Sequence, residues 1–501
     1  MLELQSPRAL TALQTFLATP LDAVLHQHGD TSPEQAALEL FRSVVETVPA
    51  YRAFLAEHGV AADQIRSFQD FQNLPQTSKK DYILPYALAE RCRDGRLESC
   101  DMLAASSGST GKPTFWPRFF SDELQIARRF EQIFHDSFQA DRRRTLAVVC
   151  FSLGTWVGGM YTASYCRHLA SKGYPITVIT PGNNREEIYR IVQELGGAFE
   201  QVVLLGYPPF LKDVIDGGLK RGIAWRDYKI KLVMAGEVFS EEWRTLVGQR
   251  MGSENPCYDS ASLYGTADAG VLANETPLSI CIRRFLAGKP EAARALFGES
   301  RLPTLTQYDP YSRFFESDGR SLIFSGDNGV PLLRYNILDT GGIVPYETML
   351  AFLAEWGFDP LSELRQYGER GMRPLPFVYV FGRSDFTVSY FGANIYPENV
   401  TVGLEQPNVS AFVTGKFVLE AREDADRNRF LHIAVELAPD VEANEALAET
   451  IGDSIVTQLL RLNSEFANYV PPEYRRPRLS LRPTGDPEYF PIGVKHRYTR
   501  K

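Results

Sequence analysis

The sequence predicts an α/β protein: a large N-terminal domain with helix-covered mixed or parallel sheets, then a small mobile α+β domain. Three observations predict it. The chain has 501 residues, too many for one ordinary core. From Thr145 onward, short β-rich runs alternate with amphipathic stretches, the pattern of parallel strands joined by crossover helices. Beyond Phe377 that alternation gives way to two strands around a charged turn and a long helix. The boundary falls at Asp385, giving domains at 1–384 and 385–501.

Taken in order, Ser6 to about Tyr86 reads as helical. Leu38, Leu40, Phe41, Val44 and Val45 recur at helical spacing until Pro49 interrupts. Thr145–Phe151, Ile176–Thr180, Val202–Leu205 and Lys229–Ala235 read as strands. Between them Met160–Lys172, Asn184–Leu195 and Pro208–Leu219 read as helices. Asn183 is the expected cap of the second, with Glu186 three residues on. Ser240 caps the helix after the fourth strand, and Glu241 and Glu242 place acidic charge in its first turn. Glycine-bearing loops follow Phe151, Leu205 and Met234, at the carboxyl ends of strands, where such sheets bind ligands. Further on, Phe377–Phe381 is a strand and Thr387–Val400 a strand-and-turn unit. Ala411–Ala421 and Phe430–Leu437 are strands, Val441–Leu462 is a helix, and the tail from Pro471 is rich in Pro and Arg.

Composition narrows the function classes. An apolar content of 44% with 12% aromatics supports a large core and excludes general disorder. A formal charge of −9 argues against a nucleic-acid or anionic-membrane partner. The six cysteines (Cys92, Cys100, Cys150, Cys166, Cys257 and Cys281) form no C-x-x-C pair and read as reduced core residues. No basic-then-apolar signal layout opens the chain, and no apolar run approaches the ~20 residues of a membrane span, so a cytoplasmic location is expected.

Four features carry chemistry. The first is Ser106-Ser107-Gly108-Ser109-Thr110-Gly111-Lys112-Pro113. Its hydroxyls, backbone N–H groups and glycines suit a cradle for an anion such as phosphate. It is not a Walker A loop, because Ser106 stands where that pattern needs glycine and Pro113 follows the lysine. Alone, it reads equally as a flexible turn. The second is Asp268 after Tyr264-Gly265, a hard oxygen ligand for Mg²⁺ beside a ring able to stack on a flat base, or else a plain turn aspartate. The third is Asp339, after Arg334 and the apolar run Pro331-Leu332-Leu333. Its carboxylate can accept from both hydroxyls of a sugar, although a surface Arg/Asp pair is common. The fourth is Lys495 in the basic tail, a cation able to meet charge developing between carboxylate and phosphate, or else part of a frayed end. No Ser-His-Asp or Cys-His arrangement is visible among the seven histidines.

With these segments in order, nearly the whole chain resembles the adenylate-forming enzymes, and within them the phenylacetate–CoA ligase family. Val48–Arg52, Leu74–Asp81, Gly154–Gly159, Gly206–Pro209, Ala235–Glu237 and Gly382–Pro397 carry the likeness. The resemblance implies ATP, Mg²⁺ and coenzyme A as cofactors and a small carboxylic acid, of aromatic type, as substrate. It implies that Ser106 to Lys112 hold the β- and γ-phosphates, and that Tyr264 with Gly265 faces adenine beside Gly236 and Glu237. Asp268 would take the magnesium role, Asp339 with Arg383 would bind the ribose, and Asp385 would be a hinge. Phe151, Trp156, Gly158 and Tyr207 would line the acid pocket, and Lys495, Asp268 and Lys112 would be catalytic. An acyl carrier protein as partner and a homodimer follow from the same resemblance.

Three departures stand out. Asp268 replaces a glutamate, Asn336-Ile337-Leu338-Asp339 replaces Arg-Thr-Gly-Asp, and Val494 separates Gly493 from Lys495, which leaves Lys501 as a second candidate lysine. Three readings therefore stand. The first is an acid–thiol ligase. The second is adenylation with an amine, a carrier-protein thiol or a reductase as acceptor, distinguished by AMP release without coenzyme A. The third is a nucleotide-binding homologue without turnover, distinguished by ATP binding without pyrophosphate exchange.

Overall fold

The computed structural model describes residues 6–26, 31–98, 100–106, 114–154, 157–298, 302–319, 321–368, 370–383, 387–491 and 498–500. It divides into a larger unit (1–105, 115–206 and 214–382) and a smaller one (106–114, 207–213 and 383–501).

The larger unit opens with α1 (Ser6–Ala18), α2 (Leu21–His26), α3 (Pro33–Thr47), α4 (Pro49–Glu57) and α5 (Phe68–Gln72). The Ser32 side chain accepts from the Gln35 amide and starts α3. Pro49, which has no N–H to donate, opens α4 at its first position. These helices bury Phe41, Tyr51, Phe54 and Phe71 in one core with Phe324, Leu332 and Tyr335 from far along the chain. Each such large apolar side chain contributes roughly 1.5–3 kcal/mol of burial. Then come β1 (Met102–Ser106) and β2 (Thr114–Arg118), a two-stranded sheet, and α6 (Phe120–Gln132).

The expected alternation follows: β3 (Thr145–Val149), α7 (Val157–Ser171), β4 (Ile176–Ile179), α8 (Arg185–Leu195), β5 (Gln201–Gly206), α9 (Pro208–Lys220), β6 (Ile230–Ala235), α10 (Glu241–Met251) and β7 (Ser260–Thr266). β3 pairs in parallel with β4 and β5, β5 with β6, and β6 with β7. β3 and β5 are buried along their whole length, as strands covered on both faces must be. α8 is capped by Asn184, one residue later than expected, because it is the Asn184 side chain that reaches the Glu187 amide.

The rest of the unit turns antiparallel. It comprises β8 (Gly270–Asn274), α11 (Pro277–Ala287), α12 (Pro290–Phe297), β9 (Thr304–Gln307), β10 (Phe314–Ser317), β11 (Ser321–Gly326), β12 (Leu332–Val344), α13 (Tyr346–Glu355), α14 (Pro360–Arg365) and β13 (Phe377–Arg383). Eleven described strands form one mixed sheet in the order β10-β11-β12-β13-β9-β8-β7-β6-β5-β3-β4.

The smaller unit holds β14 (Val388–Tyr390), β15 (Ala393–Ile395), α15 (Pro397–Leu404), β16 (Val413–Glu423), β17 (Arg429–Leu437), α16 (Glu445–Leu462), α17 (Ser464–Tyr469) and β18 (Arg478–Arg482). α16 starts four residues later than Val441, because Asn444 caps it through the Leu447 amide. β18, unforeseen in the Pro- and Arg-rich tail, pairs in parallel with β17, and the α16–α17 segment makes the required crossover. Thr499 bridges Leu419 on β16, so the described end of the chain is tied to a sheet edge rather than frayed. No described helix is long and apolar enough to cross a membrane. All six cysteines are free thiols, and five of them are buried.

Candidate active site

β7 and β8 meet in a tight turn that carries Asp268. A side chain at Gly265 would put its Cβ 2.6 Å from the Gly270 carbonyl oxygen, so the hairpin closes only with glycine there. The turn is braced from three sides. The Ala269 amide donates to Thr266 Oγ1 (3.1 Å), Arg118 Nη2 donates to the Ala267 carbonyl (2.7 Å), and the Tyr335 hydroxyl donates to Asp268 Oδ2 (2.5 Å).

Asp339 lies on β12, nearly buried, and accepts from the Tyr264 hydroxyl at 2.7 Å. Three strands separate β7 from β12 in the sheet order, so the sheet must curl to bring this pair together. Tyr264 is itself nearly buried, with Phe315 stacked 6.4 Å away. Leu338, just before Asp339, sits at φ 62°, a left-handed conformation costly for a branched side chain. It is held there by an Asx turn, in which its amide donates to Asn336 Oδ1 (2.9 Å). Asn336 in turn donates to Gln76 Oε1 (3.1 Å) and, through its amide, to the Thr77 carbonyl (2.8 Å). Arg334 is engaged away from Asp339. It pairs with Glu316 (3.1 Å) and donates to the Leu74 carbonyl.

The β6–α10 loop carries Gly236, at φ 85°, and the buried Glu237. A buried ionic network fixes the far end of this loop. Arg283 Nη2 donates to the Phe239 carbonyl (2.6 Å) and also binds Glu241. Arg244 bridges Glu241 (3.0 Å) and Glu275 (2.6 Å). Glu275 also accepts from the Ser262 amide of β7 (2.8 Å), which joins the loop to the strand that bears Tyr264. Burial opposes ionisation of Glu241, but Arg244 and Arg283 outweigh it and hold the carboxyl below its ordinary range.

Of the expected acid-pocket residues, Phe151 is buried just past β3, and Gly158 lies in the first turn of α7. Tyr207 belongs to the smaller unit. Its ring lies 5.3 Å from that of Tyr469, and a Cβ at Gly392 would clash with it at 2.2 Å. Ser106 ends β1, buried. Arg383 ends β13, its side chain outside the described residues, and Ser107, Gly108, Ser109, Thr110, Gly111, Lys112, Trp156, Asp385, Lys495 and Lys501 also lie outside them.

Two tyrosine–aspartate hydrogen bonds thus gather Tyr264, Asp268, Tyr335 and Asp339 in the larger unit. Sequence reading gave no role to Tyr335, which follows Arg334 ahead of Asp339, and it missed Arg118. Tyr335 looks like another apolar strand residue, and its one signal is its place between Leu333 and Asp339. Among the described residues no group of three or more His, Cys, Asp or Glu could hold a metal. A lone carboxylate such as Asp268 still fits Mg²⁺, which takes one or two protein oxygens and fills its shell with phosphate and water.

No protein-family model matches the chain. It is 23% identical over 434 residues to a phenylacetate-coenzyme A ligase of Aromatoleum evansii, covering 83% of this chain and 84% of that one. It is 24% identical over 376 residues to the enzyme of the same name from Thermus thermophilus, covering 73% of each. Its fold is similar to that of 2-hydroxyisobutyryl-CoA ligase solved with 2-HIB-AMP and CoA in the thioesterification state. The TM-score is 0.64 at 15% identity, over 97% of this chain and 91% of that one. An open conformation of the same ligase matches with a TM-score of 0.53 over 94% and 90%. Sequence and fold agree: the chain is similar over most of its length to phenylacetate-coenzyme A ligases and has the fold of 2-hydroxyisobutyryl-CoA ligase.

Proposed function

We propose that this protein activates a carboxylic acid with ATP and passes the acyl group to coenzyme A. A carboxylate is a poor electrophile because its leaving group would be oxide. Attack of a carboxylate oxygen on the α-phosphorus forms an O–P bond, breaks the bond to pyrophosphate and leaves an acyl-adenylate. The thiol sulfur of coenzyme A then attacks the acyl carbon, AMP departs, and the thiol proton passes to solvent. The observation that carries this reading is the pairing of Tyr264 with Asp339 and Tyr335 with Asp268, which joins two motifs far apart in the sequence.

Within this reading Asp339, with Arg383, takes the ribose hydroxyls, and Tyr264 lies against adenine beside Gly236 and Glu237. Ser106 to Lys112 take the β- and γ-phosphates, Lys495 meets the charge developing at the reacting carboxylate, and Asp385 is the hinge. When bound, Mg²⁺ neutralises the departing pyrophosphate, with Asp268 as its protein oxygen. Phe151, buried just past β3, favours a flat, apolar acid, and we assign the substrate to the aromatic class. Free, mostly buried thiols fit a reducing cytoplasm. The inserted Val494 beside Lys495 favours one second reading, in which a carrier-protein thiol or an amine accepts the acyl group. Light scattering is expected to return the mass of a homodimer.

The test is ATP–pyrophosphate exchange across aryl, fatty and amino acids, followed by AMP release with and without coenzyme A. Exchange with aryl acids and coenzyme A-dependent AMP release are expected. Background exchange across the whole panel would overturn the reading.

A further inference from the structure

Arg118 has no part in the chemistry above, yet it is fully buried, at 0% exposure. It is the last residue of β2, six positions after Lys112. A buried guanidinium ordinarily faces a carboxylate, because removing its charge from water costs several kcal/mol. Among the described residues none lies within ion-pair distance of Arg118. Its Nη1 instead donates to the Pro117 carbonyl at 3.2 Å, its Nη2 donates to the Ala267 carbonyl at 2.7 Å, and its Nε has no partner. The Tyr161 ring, 5.7 Å away, gives it a cation–π surface.

The carbonyl it holds belongs to the residue just before Asp268. An aspartate side chain is short, so its carboxylate lies wherever the backbone puts it. Asp268 Oδ2 is taken by the Tyr335 hydroxyl, so the direction left to Oδ1 depends on the 267–268 peptide. Two elements therefore fix this carboxylate: β12 through the side chain and β2 through the backbone.

We propose that Arg118 is a positioning residue, which locks the 267–268 peptide so that Asp268 presents one oxygen to the metal of a metal–nucleotide complex. This inference rests on the reading of Asp268 given above. Its charge is felt by Asp122, buried in the first turn of α6, but no ion pair joins the two, and Asp122 Oδ2 has no hydrogen-bond partner. A neutral donor could supply the same bond to the carbonyl, but it would not carry the fork that grips Pro117 and Ala267 together.

The test compares wild type, R118K, R118M, D268N and R118M/D268N. Without any nucleotide, hydrogen exchange should show the peptide spanning 263–272 opening faster in R118M, with the rest of the sheet unchanged. In calorimetry, R118M should weaken MgATP binding by about tenfold or more, the usual scale for a group that orients a metal ligand. ATP with EDTA should bind within about twofold of wild type, and the double variant should be no weaker than D268N alone, as expected of residues acting through one group. R118K should recover part of the loss. Equal weakening of MgATP and metal-free ATP, additive losses in the double variant, or unchanged exchange at 263–272 would each overturn the proposal. Should R118M fail to fold, R118K decides by the same Mg²⁺-specific criterion. Pyrophosphate exchange by wild type reports on the adenylation reading separately. Absent exchange with intact, Arg118-dependent MgATP binding would remove that reading and keep this one, and no ATP binding by wild type would remove both.

Discussion

Leu338 shows how a single residue can be held against its own preference. Its left-handed φ of 62° suits glycine, its side chain is 40% exposed, and the bonds through Asn336, Gln76 and Thr77 oppose relaxation. Leu338→Gly should therefore raise stability, by about 1 kcal/mol, because the strain goes and little burial is lost. Chemical denaturation checks it, and a loss of stability would show that the leucine side chain matters more than the backbone. Asp122 makes a second case. Burial, then Asp327, push its carboxyl up to about 7, against Arg118 and Arg313. Between the ordinary value and that one the folded protein keeps a proton that the unfolded chain has released. Stability should therefore fall as pH rises through this window, by at most about 1.4 kcal/mol per pH unit, and level off above it. In D122N this component should vanish, so its stability relative to wild type improves from pH 4.5 to pH 8, as parallel denaturation curves would reveal. Asp339 was legible in the sequence, because a carboxylate after an apolar run invites a polar role. Tyr335 was not, since a tyrosine in such a run looks like core, and here the ring is core while the hydroxyl serves Asp268.

Among the elements, the parallel half was legible because burial on both faces writes short apolar strands between capped helices. β3 to β6 and α7 to α10 fall close to their expected places. The antiparallel half was legible only in part: Phe377–Phe381 was read as a strand and falls in β13. β9 gains its identity from β13, distant in sequence, β10 and β11 form a local hairpin that the sequence reading passed over, and β18 sits in a stretch whose prolines and arginines resemble a loop. The ionic network between α10, α11 and β7 was also invisible, since Glu241 read as an ordinary first-turn acid. It has a measurable signature. R244M would leave Glu241 and Glu275 buried with one partner fewer, and should cost about 3–5 kcal/mol. A urea midpoint unchanged from wild type would show that Arg283, together with Arg284 at 3.5 Å from Glu241, suffices.

At the level of the whole molecule, the net charge is −9 and no described helix is long and apolar enough to cross a membrane. The early helices do not form a core among themselves. Phe41, Phe54 and Phe71 share theirs with Phe324, Leu332 and Tyr335, and Thr77 is stitched to β12 by bonds to Leu333, Arg334 and Asn336.

That stitch spans 256 residues of sequence, from Thr77 to Leu333. On a ribosome adding roughly 5–20 residues per second, the N-terminal quarter waits on the order of 10–50 s for its partner to be made. During that interval its aromatic faces are open to chaperones and proteases. Nascent chains arrested at residue 300 should be cleaved readily between Pro33 and Tyr86, and chains arrested past residue 420 should resist. Equal resistance at both lengths would mean that the helices find shelter early. The segment that braces Asp339 is thus among the first parts to be synthesised and among the last to be secured, and damage during translation should concentrate there.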